Sequence, residues 1–535
     1  MSLRSRTAPL LSAALAIFMY CGGEAAAAEG APFRQSLLQA PPPVVQIANA
    51  SPAAAPQPDF SLFEPFEASP LAELVKITPV PFDDRQFAFE LLRDDQRALA
   101  LALDDWSRAV PRGERRRQRA AIASLYQAHD FSPLWLTGHD WSPAAVDAAK
   151  RLRQAADDGL DLRSLRIPAV EAGRPQLADD FFLSEAVAAY VAQASGSRVD
   201  PRRISRLIGE RPPLPDVAAS LARVAAAGAG AGEVLQGFNP PHEQYAQLRT
   251  KLAEIRAGTA LNAEDQFAAA NPLDPLEDFS AAARKAERRK SLSGKAPASR
   301  MEAEIIANME RWRWLPRDLG DTHVEVNIPG FELTVVRGGS VAHRTRVIVG
   351  KEETPTPVFS NALRYIIVNP SWNVPQSIIN KELLPKHGGD LSSLAKRGWK
   401  VGWSNGRLSV RQPPGEGNAL GRIKFMFPND FSVYLHDTPS RGLFSSQKRA
   451  FSHGCMRVED PFALAEAVLG PGSGWSEERV KKLIGGSERY INLKEPLPIH
   501  IEYFTAYVDE YGQLKMRDDL YGYSARVRKE LGLGG

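Results

Sequence analysis

The chain has 535 residues, 44% of them apolar and 24% charged, with a net charge of +3. That length exceeds one ordinary domain, so two or three are expected. The composition is that of a globular protein, and the small charge excess argues against general nucleic-acid binding.

The N-terminus, residues 1–28, reads as an export signal. Arg4 and Arg6 give a positive start, and Ala8 to Tyr20 form an apolar run short for a bilayer span. An Ala-x-Ala site follows, with cleavage expected after Ala28. An uncleaved signal is the alternative and the one route to a membrane, since no later stretch approaches ~18 uninterrupted apolar residues. Cys21 follows Tyr20, which is too bulky for a lipobox. Residues 29–84 are rich in Pro and Ala and read as a disordered or extended tether.

From 85 to 258 the period is helical. Ile122, Leu125 and Tyr126 share a face before a break at Ser132-Pro133. Ser142 caps the next helix, Pro143 opens it, and the segment stops at Gly159; Asp200-Pro201 repeats the design. Tyr245, Leu248, Leu252 and Ile255 recur at helical spacing up to Gly258. This all-α scaffold holds no catalytic constellation, and Tyr126, Trp135 and Trp141 read as core. The basic clusters Arg112–Arg119 and Arg284–Lys290 read as solvated helix faces. Residues 259–298 read as a linker. Ser299 and Glu302 then form a capping box for a helix with Ile305, Met309 and Trp312 on one face.

After Pro316 the period becomes two. Gly338-Gly339 signals a two-residue hairpin, and further strands follow. The expected fold class is multidomain α+β. A helical scaffold precedes a mainly antiparallel β-sandwich or partly closed barrel over 299–505. Between 370 and 421 the strand pattern lapses into helical and loop-like sequence, which reads as a capping insertion. Residues 506–535 form a C-terminal extension.

The chemistry concentrates in AFSHGCMRVEDPF, Ala450 to Phe462. Signal cleavage leaves Cys455 as a solitary thiol in an oxidising compartment, which flags it as reactive. Gly454 permits an unusual backbone angle, and amides of a Gly-Cys turn can stabilise an oxyanion. A thiol needs an imidazole to take its proton. His453 stands two positions before the cysteine and His436 nineteen, and both are candidate bases. A zinc site needs three or four ligands, and only His436, His453 and Cys455 are at hand. A buried structural cysteine explains neither the histidines nor the glycine. Lys448, Arg449 and Arg457 place positive charge around the cysteine. Trp372, Trp399 and Trp403 of the insertion can keep water from a site beneath it.

His436 followed by Ser452-His453-Gly454-Cys455 resembles the signature of the L,D-transpeptidase catalytic domain of the YkuD type. NPSWNVPQSIINKELLPK, RQPPGEGNALGRIKFMFPN and YLHDTPSRGLF are similar to its large Gram-negative, YcbB-like branch. FSPLWLTG and AADDGLD are similar to the scaffold domain of that branch. The resemblance spans residues 87 to 505, most strongly 301 to 505. It implies that Cys455 attacks the carbonyl between a diamino acid and the terminal D-Ala of a peptidoglycan stem. D-Ala leaves, and an amine of a neighbouring stem resolves the thioester into a 3→3 cross-link. It further implies His436 as proton donor and acceptor, with His453 and Gly454 on the oxyanion side. Arg457, Ser452, Tyr434 and Trp372 are the implied substrate contacts. No metal or cofactor is implied. Stem peptides and other cell-wall synthases are the implied partners, the periplasm the implied location, and carbapenems the implied acylating drugs.

Two features depart from the common pattern. Arg457 stands where Asn is usual, and residues 259–298 lack the pattern of a small peptidoglycan-binding module. A thioester hydrolase and a non-catalytic peptidoglycan-binding scaffold are the alternative functions; the intact His436 and Cys455 weigh against the second.

Overall fold

The computed structural model describes residues 93–258 and 300–534, except 111, 112, 172, 173, 210 and 405. The export signal, the tether, the linker, Ser299 and the Arg284–Lys290 cluster lie outside the described residues.

The helices Asp94–Arg108, Glu114–Ala128, Pro143–Arg153, Leu177–Ala194, Val217–Ala225 and Ala231–Gln236 enclose one core, in which Tyr126, Trp135, Phe181 and Tyr190 are fully buried. The side chain of Ser142 accepts from the Ala145 amide at 3.2 Å, and that of Asp200 from the Arg202 amide at 3.1 Å, so both expected caps form. Asp180 ties the Ser132-Pro133 break to the long helix. Its carboxylate accepts the Leu134 amide at 3.1 Å, the Trp135 amide at 2.9 Å and the Tyr126 hydroxyl. Burial raises its pKa to about 6. Trp141 is half-buried.

The solvated-face reading fails at Arg119. This residue is buried, and its guanidinium donates to both oxygens of Glu185, at 2.9 and 2.7 Å, and to the Trp106 carbonyl at 2.7 Å. A buried charge persists where such partners are supplied.

The helices Glu243–Arg256 and Arg300–Trp312 belong to a second core. Tyr245, Leu248, Leu252, Ile305, Met309 and Trp312 pack with the strands that follow. Those strands are β1 (Thr322–Asn327), β2 (Glu332–Arg337), β3 (Ser340–Gly350) and β4 (Phe359–Val368). The insertion supplies β5 (Trp372–Asn373), β6 (Lys400–Ser404) and β7 (Arg407–Gln412). Then come β8 (Ile423–Met426), β9 (Leu435–His436), β10 (Ala450–Ser452), β11 (Met456–Val458) and β12 (Arg489–Glu502).

The main sheet runs β10-β3-β11-β9-β8-β4-β12-β1-β2, and β2 also pairs with β3, closing a ring. Gly338 and Gly339, with φ of 54° and 73°, form the tight turn that lets β2 fold back on β3. Among the described residues β9·β11, β10·β3 and β12·β1 are parallel, and the other pairings of this sheet are antiparallel.

Register separates the two faces. Ile491, Ile366, Phe425, Leu435 and Met456 lie opposite one another across five strands and face the core. Each such fully buried side chain contributes about 1.5–3 kcal/mol. The adjoining row faces the other way: Tyr490, Ile367, Lys424, His436, Arg457 and Ile348. That row carries the site.

The insertion differs from its expected helical and loop-like character. Short helical turns are present, but β5, β7 and β6 form a separate three-stranded sheet. Val374, Ile379, Leu391, Leu394 and Val410 give it its own core. Lys400–Ser404 and Arg407–Gln412 do alternate polar and apolar residues, but each is short, and pairing with its neighbours decides its state. The C-terminal extension packs Leu520, Tyr521, Tyr523 and Val527 into the same core as the ring. No helix among the described residues is long and apolar enough to cross a membrane.

Candidate active site

Strands β9 and β11 run parallel, with Leu435 opposite Met456 and His436 opposite Arg457. The Met456 amide donates to the Tyr434 carbonyl at 3.1 Å. Cys455, just before β11, therefore stands beside Tyr434. Residues two apart on a strand share a face, so Tyr434, His436, Cys455 and Arg457 converge on one side. A crossover, not a hairpin, brings histidine and cysteine together.

His436 is buried, and its Nδ1–H donates to the Asp437 carbonyl at 2.5 Å. A carbonyl can only accept, so the Nε2 of the neutral ring carries the lone pair. Burial, with the nearby charges of Arg457 and Lys424, lowers the His436 pKa to about 3. The ring meets Tyr434 edge-on at 5.7 Å.

Cys455 is a free, half-buried thiol. Burial pushes its pKa up, and the Tyr434 amide and hydroxyl, Lys424 and Arg457 pull it partly back. The resting pair is accordingly a thiol and a neutral imidazole. The Tyr434 hydroxyl also hydrogen-bonds to Trp372 of β5, so the insertion reaches the site. Trp399 packs edge-on against Trp372 at 6.3 Å, whereas Trp403 is 77% exposed and shields nothing.

The turn into Cys455 is held from within. Gly454 has a φ of +113°, a conformation costly for any residue with a Cβ. Its amide donates to the Ser452 Oγ at 3.1 Å, and the Ser452 hydroxyl donates to the Cys455 carbonyl at 2.5 Å. Ser452, expected at the substrate, is buried and committed to this turn. His453 is exposed, and its Nε2 lies 2.6 Å from Glu382 Oε1 of the insertion.

Of the three expected cations, only Arg457 bears on the sulfur. Lys448 pairs with Glu352 at 2.7 Å, and Arg449 donates to the carbonyls of Ser446 and Phe331. The residue that sequence reasoning missed is Lys424. Its ammonium sits 3.6 Å from the centre of the Tyr434 ring, and it lies opposite His436 in register. Neither Lys424 nor Arg457 has a salt-bridge partner among the described residues. The signal in the sequence was the alternation of Ile423, Lys424 and Phe425, which places the lysine on the non-core face. Only the register with His436 shows that this is the active face.

Residues 321–484 match the L,D-transpeptidase catalytic domain family (YkuD), and residues 120–252 match the Scaffold domain family. A Haemophilus influenzae protein whose name proposes it as an L,D-transpeptidase is 34% identical over 250 residues, or 43% of this chain. The chain spans 50% of the length of that relative. Among solved structures, an L,D-transpeptidase from Mycobacterium smegmatis matches over 34% of this chain and 58% of its own, at 15% identity and a TM-score of 0.19. L,D-transpeptidase 3 from Mycobacterium tuberculosis matches over 34% and 61%, at 12% identity and a TM-score of 0.20. The chain thus joins an L,D-transpeptidase catalytic domain at 321–484 to a Scaffold domain at 120–252, which is the YcbB-like architecture.

Proposed function

We propose that this protein is an exported, periplasmic cysteine L,D-transpeptidase. Cys455 takes the acyl group of a tetrapeptide stem and passes it to an amine of a neighbouring stem, forming a 3→3 cross-link. The observation that carries this reading is the placement of His436 between Lys424 and Arg457, with Cys455 on the same face.

The terminal D-Ala carboxylate lies one residue from the scissile carbonyl, and two unpaired cations suit it. While it is absent, burial together with their charge holds His436 neutral and weakly basic. A bound carboxylate offsets their charge and lets the imidazole become a stronger base.

His436 Nε2 then takes the thiol proton as Sγ bonds to the carbonyl carbon, and the π pair moves to oxygen. The C–N bond breaks as that proton passes from Nε2 to the leaving D-Ala amine, and a thioester remains. In the second half a neutral amine attacks the thioester. The C–S bond breaks, and His436 relays the amine proton to sulfur. Trp372 and Tyr434 cover the site on the insertion side.

The test is incubation of the full chain with a disaccharide-tetrapeptide, with products read by mass spectrometry. A dimer that has lost one D-Ala, absent with Cys455→Ala, is the expected result. A tripeptide bearing added water would make the protein a hydrolase, and no turnover would overturn the enzymatic reading.

A further inference from the structure

The loop after β3 touches the nucleophile's turn at a point that the reaction as described leaves unexplained. Thr356 is fully buried there. Its hydroxyl accepts the Gly350 amide at 2.8 Å and donates to the Gly454 carbonyl at 2.9 Å. Its own amide donates to the Tyr521 hydroxyl at 3.2 Å, and that hydroxyl donates to the Gly350 carbonyl at 2.6 Å. Each hydroxyl donates once and accepts once, as a buried polar cluster requires. Tyr521 lies beyond the matched catalytic domain, in the C-terminal extension. Its amide donates to the Tyr503 hydroxyl at 2.7 Å. The neighbouring Tyr523 hydroxyl meets Ser205 of the helical part at 3.2 Å.

A trans peptide is planar, and its C=O and N–H point in opposite directions. The Gly454 carbonyl and the Cys455 amide belong to one peptide unit. Drawing the carbonyl inward onto Thr356 therefore turns the Cys455 N–H outward. The neighbouring amides are spent, Gly454 on Ser452 and Met456 on the Tyr434 carbonyl. The Cys455 N–H has no hydrogen-bond partner among the described residues. A free backbone donor beside a nucleophile is what an oxyanion needs.

We propose that Thr356 is a positioning residue that aims the Cys455 amide at the developing oxyanion, and that Tyr521 holds Thr356 in place. The inference rests on the acyl-transfer reading above. It joins the C-terminal extension to the chemistry through two hydroxyl groups.

Two reactions of the same sulfur provide the test. Acylation by a carbapenem passes through a tetrahedral oxyanion, whereas alkylation by iodoacetamide does not. Both adducts on Cys455 are timed by mass spectrometry in the full chain and in Thr356→Val, Thr356→Ser and Tyr521→Phe. Thr356→Val should slow acylation by about tenfold to a hundredfold and leave alkylation unchanged. Thr356→Ser should restore the parent rate, and Tyr521→Phe should show a smaller fall in acylation alone. Equal acylation of Thr356→Val and parent, or parallel loss of both reactions, overturns the positioning role. A parent that is alkylated but acylated by neither the carbapenem nor a stem peptide overturns the transpeptidase reading itself.

Discussion

Glu382 Oε1 lies 2.6 Å from His453 Nε2, so the insertion grips the residue two before the nucleophile. Trp372, bonded to Tyr434, gives it a second hold. A half-exposed polar contact of this kind is worth at most about 1 kcal/mol, or about fivefold in an equilibrium. Glu382→Ala should therefore let water compete with the acceptor amine. The ratio of hydrolysed tripeptide to cross-linked dimer should rise by up to about fivefold. An unchanged ratio would remove the insertion from control of water.

The thiol should titrate late. Burial raises the Cys455 pKa, while Lys424 and Arg457 lower it. Removing a cation takes away a lowering influence, so Lys424→Met should move the pH midpoint of iodoacetamide alkylation upward. The rate at neutral pH should fall, and the high-pH plateau should hold. A downward shift would contradict the placement of Lys424.

Carboxylate recognition separates two substrates. A charged hydrogen bond contributes about 1.5–3 kcal/mol, which is about tenfold to a hundredfold in kcat/KM. Arg457→Met should lose this with a stem ending in D-alanine. With a stem ending in D-alaninamide it should lose little. Equal losses on both substrates would assign Arg457 a structural role.

His436 also sets an acid limit on folding. Its folded pKa of about 3 lies below the ordinary value of about 6.5. Below pH ~6.5 the unfolded chain takes up a proton that the folded site refuses. Its contribution is thus intact above that pH and is lost progressively as pH falls toward 3. The urea midpoint should drop less steeply between neutral and acidic pH in His436→Gln than in the parent.

In the helical part, Arg119→Met leaves Glu185 buried with only Arg115, which is 45% exposed at its side chain and 2.6 Å away. Loss of one partner of a buried pair costs about 3 kcal/mol. The urea midpoint should move down accordingly. A change within error would mean that Arg115 alone satisfies Glu185.

Local signals were legible in the sequence and long-range ones were not. Ser142, Asp200 and Gly338-Gly339 act through backbone groups within a few positions, and each forms the predicted feature. Arg119 looks like its solvated neighbours because its partner lies 66 positions away. Lys424 went unnoticed for the same reason, since its meaning comes from the register with His436. Cys455 and His436 stood out through rarity and spacing. Their joining by a parallel pair depends on the whole ring. Trp403 was misjudged because a tryptophan in the insertion carries no sign of which way its strand faces.

The parallel pairing of β9 with β11 also sets when reactivity begins. A parallel pair cannot grow from a tight turn; it forms only after the intervening chain has been laid across other strands. Here that chain includes β10, which must dock on β3. Until the ring closes, the thiol and the imidazole are strangers nineteen positions apart. An unfolded copy would thus carry an inactive thiol until β9 and β11 have paired.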